Sequence, residues 1–154
     1  MSDINPQSTA KIAGHPLHPM IIPFPIVFFV STLATDILSL KGGRPGFAEA
    51  SVWLLGAGLV TAALAAVLGL TDFLGDSRVR SLRHAWWHMI GNVLAVVLEL
   101  VNFYLRYSAG GGAGVTSTEV TLSAIVVVLL LFNGWMGWEL VYRHHVGIAE
   151  VAER

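Results

Sequence analysis

Four stretches of this chain, residues 20–40, 50–74, 85–107 and 122–142, are almost continuously apolar, and each is divided from the next by a short polar or glycine-rich break. A helix needs about 20 apolar residues to cross the hydrocarbon core of a bilayer. In lipid the backbone must satisfy its own hydrogen bonds, so such runs are predicted to be helices. Pro23 and Pro25 fall in the first turns of the first run, where a missing N–H matters least. Asp36 lies near its far end, and Lys41-Gly-Gly-Arg-Pro45 breaks it. The second run carries no charge before Asp72, and the Gly-rich segment 109–114 separates the third from the fourth. The expected architecture is an all-α, integral membrane four-helix bundle: an N-terminal segment (1–19), a four-span domain (20–142) and a C-terminal tail (143–154). No long internal repeat is evident.

Composition agrees with this pattern. The chain of 154 residues is 55% hydrophobic and 12% charged, against about 25% charged in a soluble domain. A soluble bundle with so few charges could not cover its surface. The net charge of −1 and the lack of a basic stripe argue against a nucleic-acid partner. Cysteine is absent, which excludes disulfides, thiol chemistry, iron–sulfur ligation and covalent c-type haem. Residues 1–19 lack the features of a cleaved signal peptide, so the first span is expected to remain as an anchor. Lys11, Arg78, Arg80, Arg83, Arg143 and Arg154 lie on one side of the bundle, and Lys41, Arg44 and Arg106 on the other. That bias predicts a multi-pass protein of the inner (plasma) membrane with both termini in the cytoplasm. Trp86, Trp87, Trp138 and Tyr142 then fall where an aromatic belt belongs. In the second span Gly58, Ala62 and Ala66, with Ala65 and Gly69 beside them, predict close helix packing within the bundle.

All six histidines (His15, His18, His84, His88, His144 and His145) lie at span ends expected on one membrane face. His15 and His18 belong to Gly14-His-Pro-Leu-His-Pro19, a stiff segment. A spacing of three aligns two side chains in a helical turn or in polyproline II. His84 and His88 stand at i, i+4 and share a helix face, a chelating arrangement. His88 is the deeper, and an ionisable residue inside an apolar span is by default a functional candidate. The short hairpin between the second and third runs is expected to bring Asp72, and with it Asp76, towards these rings, where a carboxylate would orient a ligating imidazole. The alternative is that Asp72 only ends its helix. His144 and His145 diverge on a helix and are left out of the site. The candidate metal ligands are therefore His15, His18, His84 and His88; as a haem site, His15, His18 and His88 with Asp72.

On the third span His88, Asn92, Glu99, Asn102 and Arg106 form one polar stripe, which in lipid must face protein, water or ligand. Asp36 is expected at the depth of Arg106 and able to pair with it. Interhelical hydrogen bonding is the favoured role of the stripe; a proton path is the other.

The motif Gly14-His-Pro-Leu-His-Pro19, followed by Pro23-Phe-Pro25 and Asp36, resembles the bacterial membrane family named domain of unknown function 2231. Gly69 with Asp72, His88 with Asn92, Arg106, and Leu140-Val-Tyr142 before Gly147 extend the resemblance over roughly residues 11–148. It implies a four-helix membrane domain and no settled activity. In some members of that family the domain is joined to a Rieske-type iron–sulfur domain, an extension not expected in this chain; this implies electron transfer and hence haem.

Three functions follow as expectations. The first is a membrane protein binding haem b or a transition metal (iron, copper or zinc) through its histidine cluster, with a role in electron transfer and a redox partner protein. The second is a structural or partner-binding subunit without a cofactor. The third is a small proton or ion transporter using Glu99. A bundle this small commonly pairs, so a homodimer is also expected. Catalysis on a soluble substrate is least supported, since no nucleophile–base motif or phosphate loop is present.

Overall fold

The computed structural model describes residues 5–42, 45–111 and 114–148. Helices α1 (His18–Ile21), α2 (Pro23–Gly42), α3 (Pro45–Gly75), the short α4 (Ser77–Arg80), α5 (Arg83–Ser108) and α6 (Ser117–Trp138) follow one another, and α6 ends in a π-helical turn, Glu139–Arg143. Four helical segments are long and apolar enough to cross a membrane: His18–Gly42, Gly46–Gly75, Arg83–Ser108 and Ser117–Arg143. Each extends beyond the apolar run that marks it, because helical hydrogen bonding continues through polar ends that hydropathy does not register. At one such end Thr116 and Glu119 form a reciprocal capping box that starts α6 several residues before its apolar run.

Around the bundle the order is α2, α3, α5, α6, with the sequence neighbours α2/α3 and α5/α6 packed most closely and α2/α6 and α3/α5 closing the ring. Phe29, Leu55, Ala62, Ala95 and Val126 make an apolar layer across its middle. Gly58 lets the Phe29 ring lie against α3, where a Cβ would collide with it. Gly58, Ala62 and Ala65 of the second span are buried and serve packing inside the bundle, whereas Ala66 is exposed. Outside, Trp53, Val60, Val67, Tyr104 and Leu131 are all exposed, as expected where the solvent is lipid. Inside, Asp36, Ser51, Glu99, Asn102, Arg106, Ser123 and Asn133 are buried. The arrangement inverts that of a soluble bundle, since lipid offers polar groups no partners and they must find one another.

Both ends of the described chain meet at one end of the bundle. The Gly147 amide donates to the Pro6 carbonyl at 2.9 Å, and the Asn5 side chain donates to the Ile148 carbonyl at 3.2 Å.

Candidate functional site

The His-Pro segment folds as neither a helical turn nor polyproline II. Lys11–Ile12 pairs antiparallel with His15–Pro16, around a two-residue turn in which Ala13 and Gly14 have φ of +49° and +81°. Positive φ at both turn positions suits a tight hairpin, and glycine adopts it without penalty. His15 therefore sits on an exposed strand, its Nδ1 donating to the Ala13 carbonyl at 2.9 Å. His18 opens the first membrane helix. The spacing of three does not align these two rings, because the chain between them passes from strand to helix.

The structure instead brings His18 to His88, with ring centres 6.3 Å apart and planes nearly perpendicular at 86°. His18 Nδ1 lies 2.9 Å from the Ala65 carbonyl on α3, and His88 Nδ1 lies 2.9 Å from the Asn133 carbonyl on α6. A carbonyl only accepts, so each Nδ1 carries the hydrogen, and in the neutral tautomer with that hydrogen the lone pair lies on Nε2. Glycines make room for both rings. A Cβ at Gly69 would stand 3.0 Å from the His18 ring, and one at Gly137 would stand 3.2 Å from that of His88. Asn92 donates to the His88 carbonyl at 2.8 Å and is met by Asn133 at 3.4 Å. Asn133 also lies against Gly91, where a side chain would displace it.

His84 does not join this pair. It meets His144, Nδ1 to Nε2, at 3.1 Å. The π-helical turn brings His144 there: its amide bonds back to the Glu139 carbonyl, so the chain winds more widely than in an α-helix and carries the ring towards α5. His144 stays outside the His18–His88 pair, but its contact with His84 could not be foreseen, since spacing on an ideal helix cannot register a π turn. No group of three or more potential metal ligands exists among the described residues, so the four histidines expected as ligands are not assembled into one site.

Asp72 likewise orients no imidazole. Its Oδ1 accepts from the Ser8 hydroxyl at 2.9 Å and from the amides of Thr9 and Ala10, both at 2.7 Å. Asp76 accepts from the Gln7 amide at 2.9 Å and caps α4 through the Arg78 amide. The Arg78 side chain, hydrogen-bonded to Asp76, holds that carboxyl well below the usual carboxylate range. Both aspartates bind the N-terminal arm, and so they fix His18 only through the chain. Asp72→Ala should free the arm: three hydrogen bonds to a carboxylate are lost, each worth about 1.5–3 kcal/mol. Hydrogen exchange of the Thr9 and Ala10 amides should then accelerate at least tenfold while the spans stay protected. Unchanged exchange would show that the arm is held by other contacts.

At the opposite end of the bundle Arg106 grips Asp36 through two parallel contacts, Nη1–Oδ1 at 2.7 Å and Nη2–Oδ2 at 2.8 Å, and both side chains are buried. The expected Asp36–Arg106 pair is formed. Ser51 of α3 bonds both members. Ser123 of α6 donates to Asp36 at 2.7 Å, Arg106 Nε donates to Asn102 at 3.0 Å, and Asn102 donates to Glu99 at 2.9 Å. Every spanning helix contributes. One oxygen of Glu99, Oε1, is buried without a hydrogen-bond partner among the described residues. The polar stripe of α5 is thus divided: Asn92 belongs with His88, while Glu99, Asn102 and Arg106 belong with Asp36. The apolar layer containing Ala95 lies between them. Ser51, Ser123 and Asn133 escaped the reading of the sequence, because serine and asparagine in an apolar run do not announce their partners.

These features define a multi-pass membrane protein, a four-helix bundle with a pair of imidazoles near one end and a buried ion-pair cluster near the other. The chain belongs to the family described as predicted membrane protein (DUF2231), whose pattern matches residues 14–150. No curated protein and no solved structure matches it.

Proposed function

We propose that the protein holds a redox-active metal between His18 and His88, foremost the iron of haem b, and carries electrons in the membrane. The observation behind this reading is the convergence of two imidazoles from different segments, each anchored through Nδ1 to a main-chain carbonyl and each left with a free Nε2 lone pair. A backbone carbonyl is the usual partner that orients a ligating histidine. Imidazoles that share one metal bind it at about 2.0–2.1 Å and so must lie within a few ångströms of each other, as His18 and His88 do with ring centres 6.3 Å apart.

The number of ligands favours haem. Structural zinc takes four protein ligands, whereas a porphyrin supplies the equatorial nitrogens of its iron and asks the protein for axial ligands alone. When bound, such a group would cycle between ferric and ferrous iron. His18 and His88 would hold it, and Gly69 and Gly137 leave room for the two rings. The ion-pair cluster supports cohesion of the bundle rather than proton passage, since apolar side chains lie between it and the histidines.

Absorption spectra of the detergent-purified protein, oxidised and dithionite-reduced, with elemental analysis of the same sample, test the proposal. The expected result is a Soret band that sharpens on reduction, with iron near one per chain. A featureless spectrum with stoichiometric copper would replace haem by a two-coordinate copper site. The absence of any metal from protein produced with haem and metals supplied would reject the reading.

A further inference from the structure

On the outer face of the bundle, between the start of α5 and the end of α6, lies a groove of about 470 Å³ lined by Arg83, His84, Trp87, Phe132 and Met136. Its composition changes with depth. Arg83 and His84 stand at the boundary end of α5, and His84 is held by its hydrogen bond to His144. Trp87 lies one turn further in, and Phe132 and Met136, from α6, form the apolar remainder. Trp87 and Phe132 are about half exposed, so the groove opens sideways towards lipid.

Arg83 decides what such a groove would take. Its guanidinium stays charged at any physiological pH, it is exposed, and it forms no ion pair among the described residues. Arg143, also on this side of the bundle, is paired with Glu139 at 3.1 Å. Arg83 with the His84–His144 pair therefore offers hydrogen-bond donors and positive charge at the headgroup level, directly above an apolar wall. A free anion would leave that wall uncovered, and a neutral lipid would leave the guanidinium uncompensated. Only an amphiphile with an anionic head matches both halves, and basic pockets between membrane helices are known to bind anionic lipid heads.

We infer that this groove is a binding site for one anionic phospholipid, its phosphate on Arg83 and His84 and an acyl chain along Trp87, Phe132 and Met136. This site is separate from the His18–His88 pair and does not depend on a cofactor there.

Native mass spectrometry of the full-length protein, released from detergent containing equal phosphatidylglycerol and phosphatidylcholine, tests the inference. The wild type should retain one phosphatidylglycerol in preference to phosphatidylcholine. Arg83→Ala should reduce that preference about fivefold, as expected for loss of one cation near the headgroups. Arg83 is exposed, so the variant should keep the helical circular dichroism of the parent; Arg83→Gln provides a second charge-removing variant. Phe132→Ser should weaken retention of both lipids. Equal retention of the two lipids by the wild type, or an unchanged preference in both Arg83 variants, overturns the inference. Displacement of the lipid by millimolar inorganic phosphate does so too, because the site would then recognise the anion alone.

Discussion

Arg106→Ala is expected to be the most damaging single substitution in the spans. It leaves Asp36 buried with a charge and without its bidentate partner, and it strands Ser51, Asn102 and Ser123 beside it. Removing one member of a buried pair costs about 3–5 kcal/mol, a large part of the roughly 5–15 kcal/mol that holds most domains folded. The purified variant should lose its monodisperse size-exclusion peak at a temperature at least 10 °C below that of the parent, or fail to accumulate. Asp36→Ala should behave alike. The double variant Asp36→Leu with Arg106→Met should recover much of the loss, because apolar replacement of both charges removes the desolvation penalty together with the attraction. Additive losses in the double variant would mean that the two residues act separately. Glu99→Gln should be far milder: the cluster holds two carboxyl groups for one guanidinium, and Oε1 of Glu99 makes no hydrogen bond among the described residues that the change could break.

The second large effect concerns the imidazoles. His18→Ala and His88→Ala should each abolish cofactor retention, since a site built from two ligands has no spare. His15→Ala and His84→Ala should leave the metal content and spectrum of the wild type, as His15 lies on an exposed strand and His84 is engaged with His144. All four variants should still insert, because none of these side chains belongs to the ion-pair cluster. A His84→Ala protein that loses its metal as completely as His88→Ala would move the site to the other pair.

The ion pair and the histidines differ in how far they could be read from the chain. Asp36 and Arg106 stand near the C-terminal ends of the first and third spans, which run parallel, and lipid offers neither any other partner, so depth alone nearly determines their pairing. The histidines lie at the membrane boundary, where water, backbone and loop groups all compete for them. His18 found His88 and left His15 because a hairpin at Ala13-Gly14 separates the first two. His84 found His144 because a π turn follows Trp138. Asp72, expected from its position to orient an imidazole, is taken up by the amides of Thr9 and Ala10; unpaired backbone donors beside a carboxylate are strong competitors, and hydropathy does not record them.

By itself the sequence determined four helices, their lipid environment, the side of the bundle on which the histidines gather and the depth of the Asp36–Arg106 pair. Each follows from a one-dimensional quantity, either the length of an apolar run or the distance of a residue from its end. Only the tertiary structure decided which imidazoles face one another, which aspartate holds the N-terminal arm, and how the polar stripe of α5 is divided by the layer of Phe29, Leu55, Ala62, Ala95 and Val126. Those outcomes depend on the rotation of each helix about its axis and on backbone donors brought in by loops. Both are set by packing among all four helices at once.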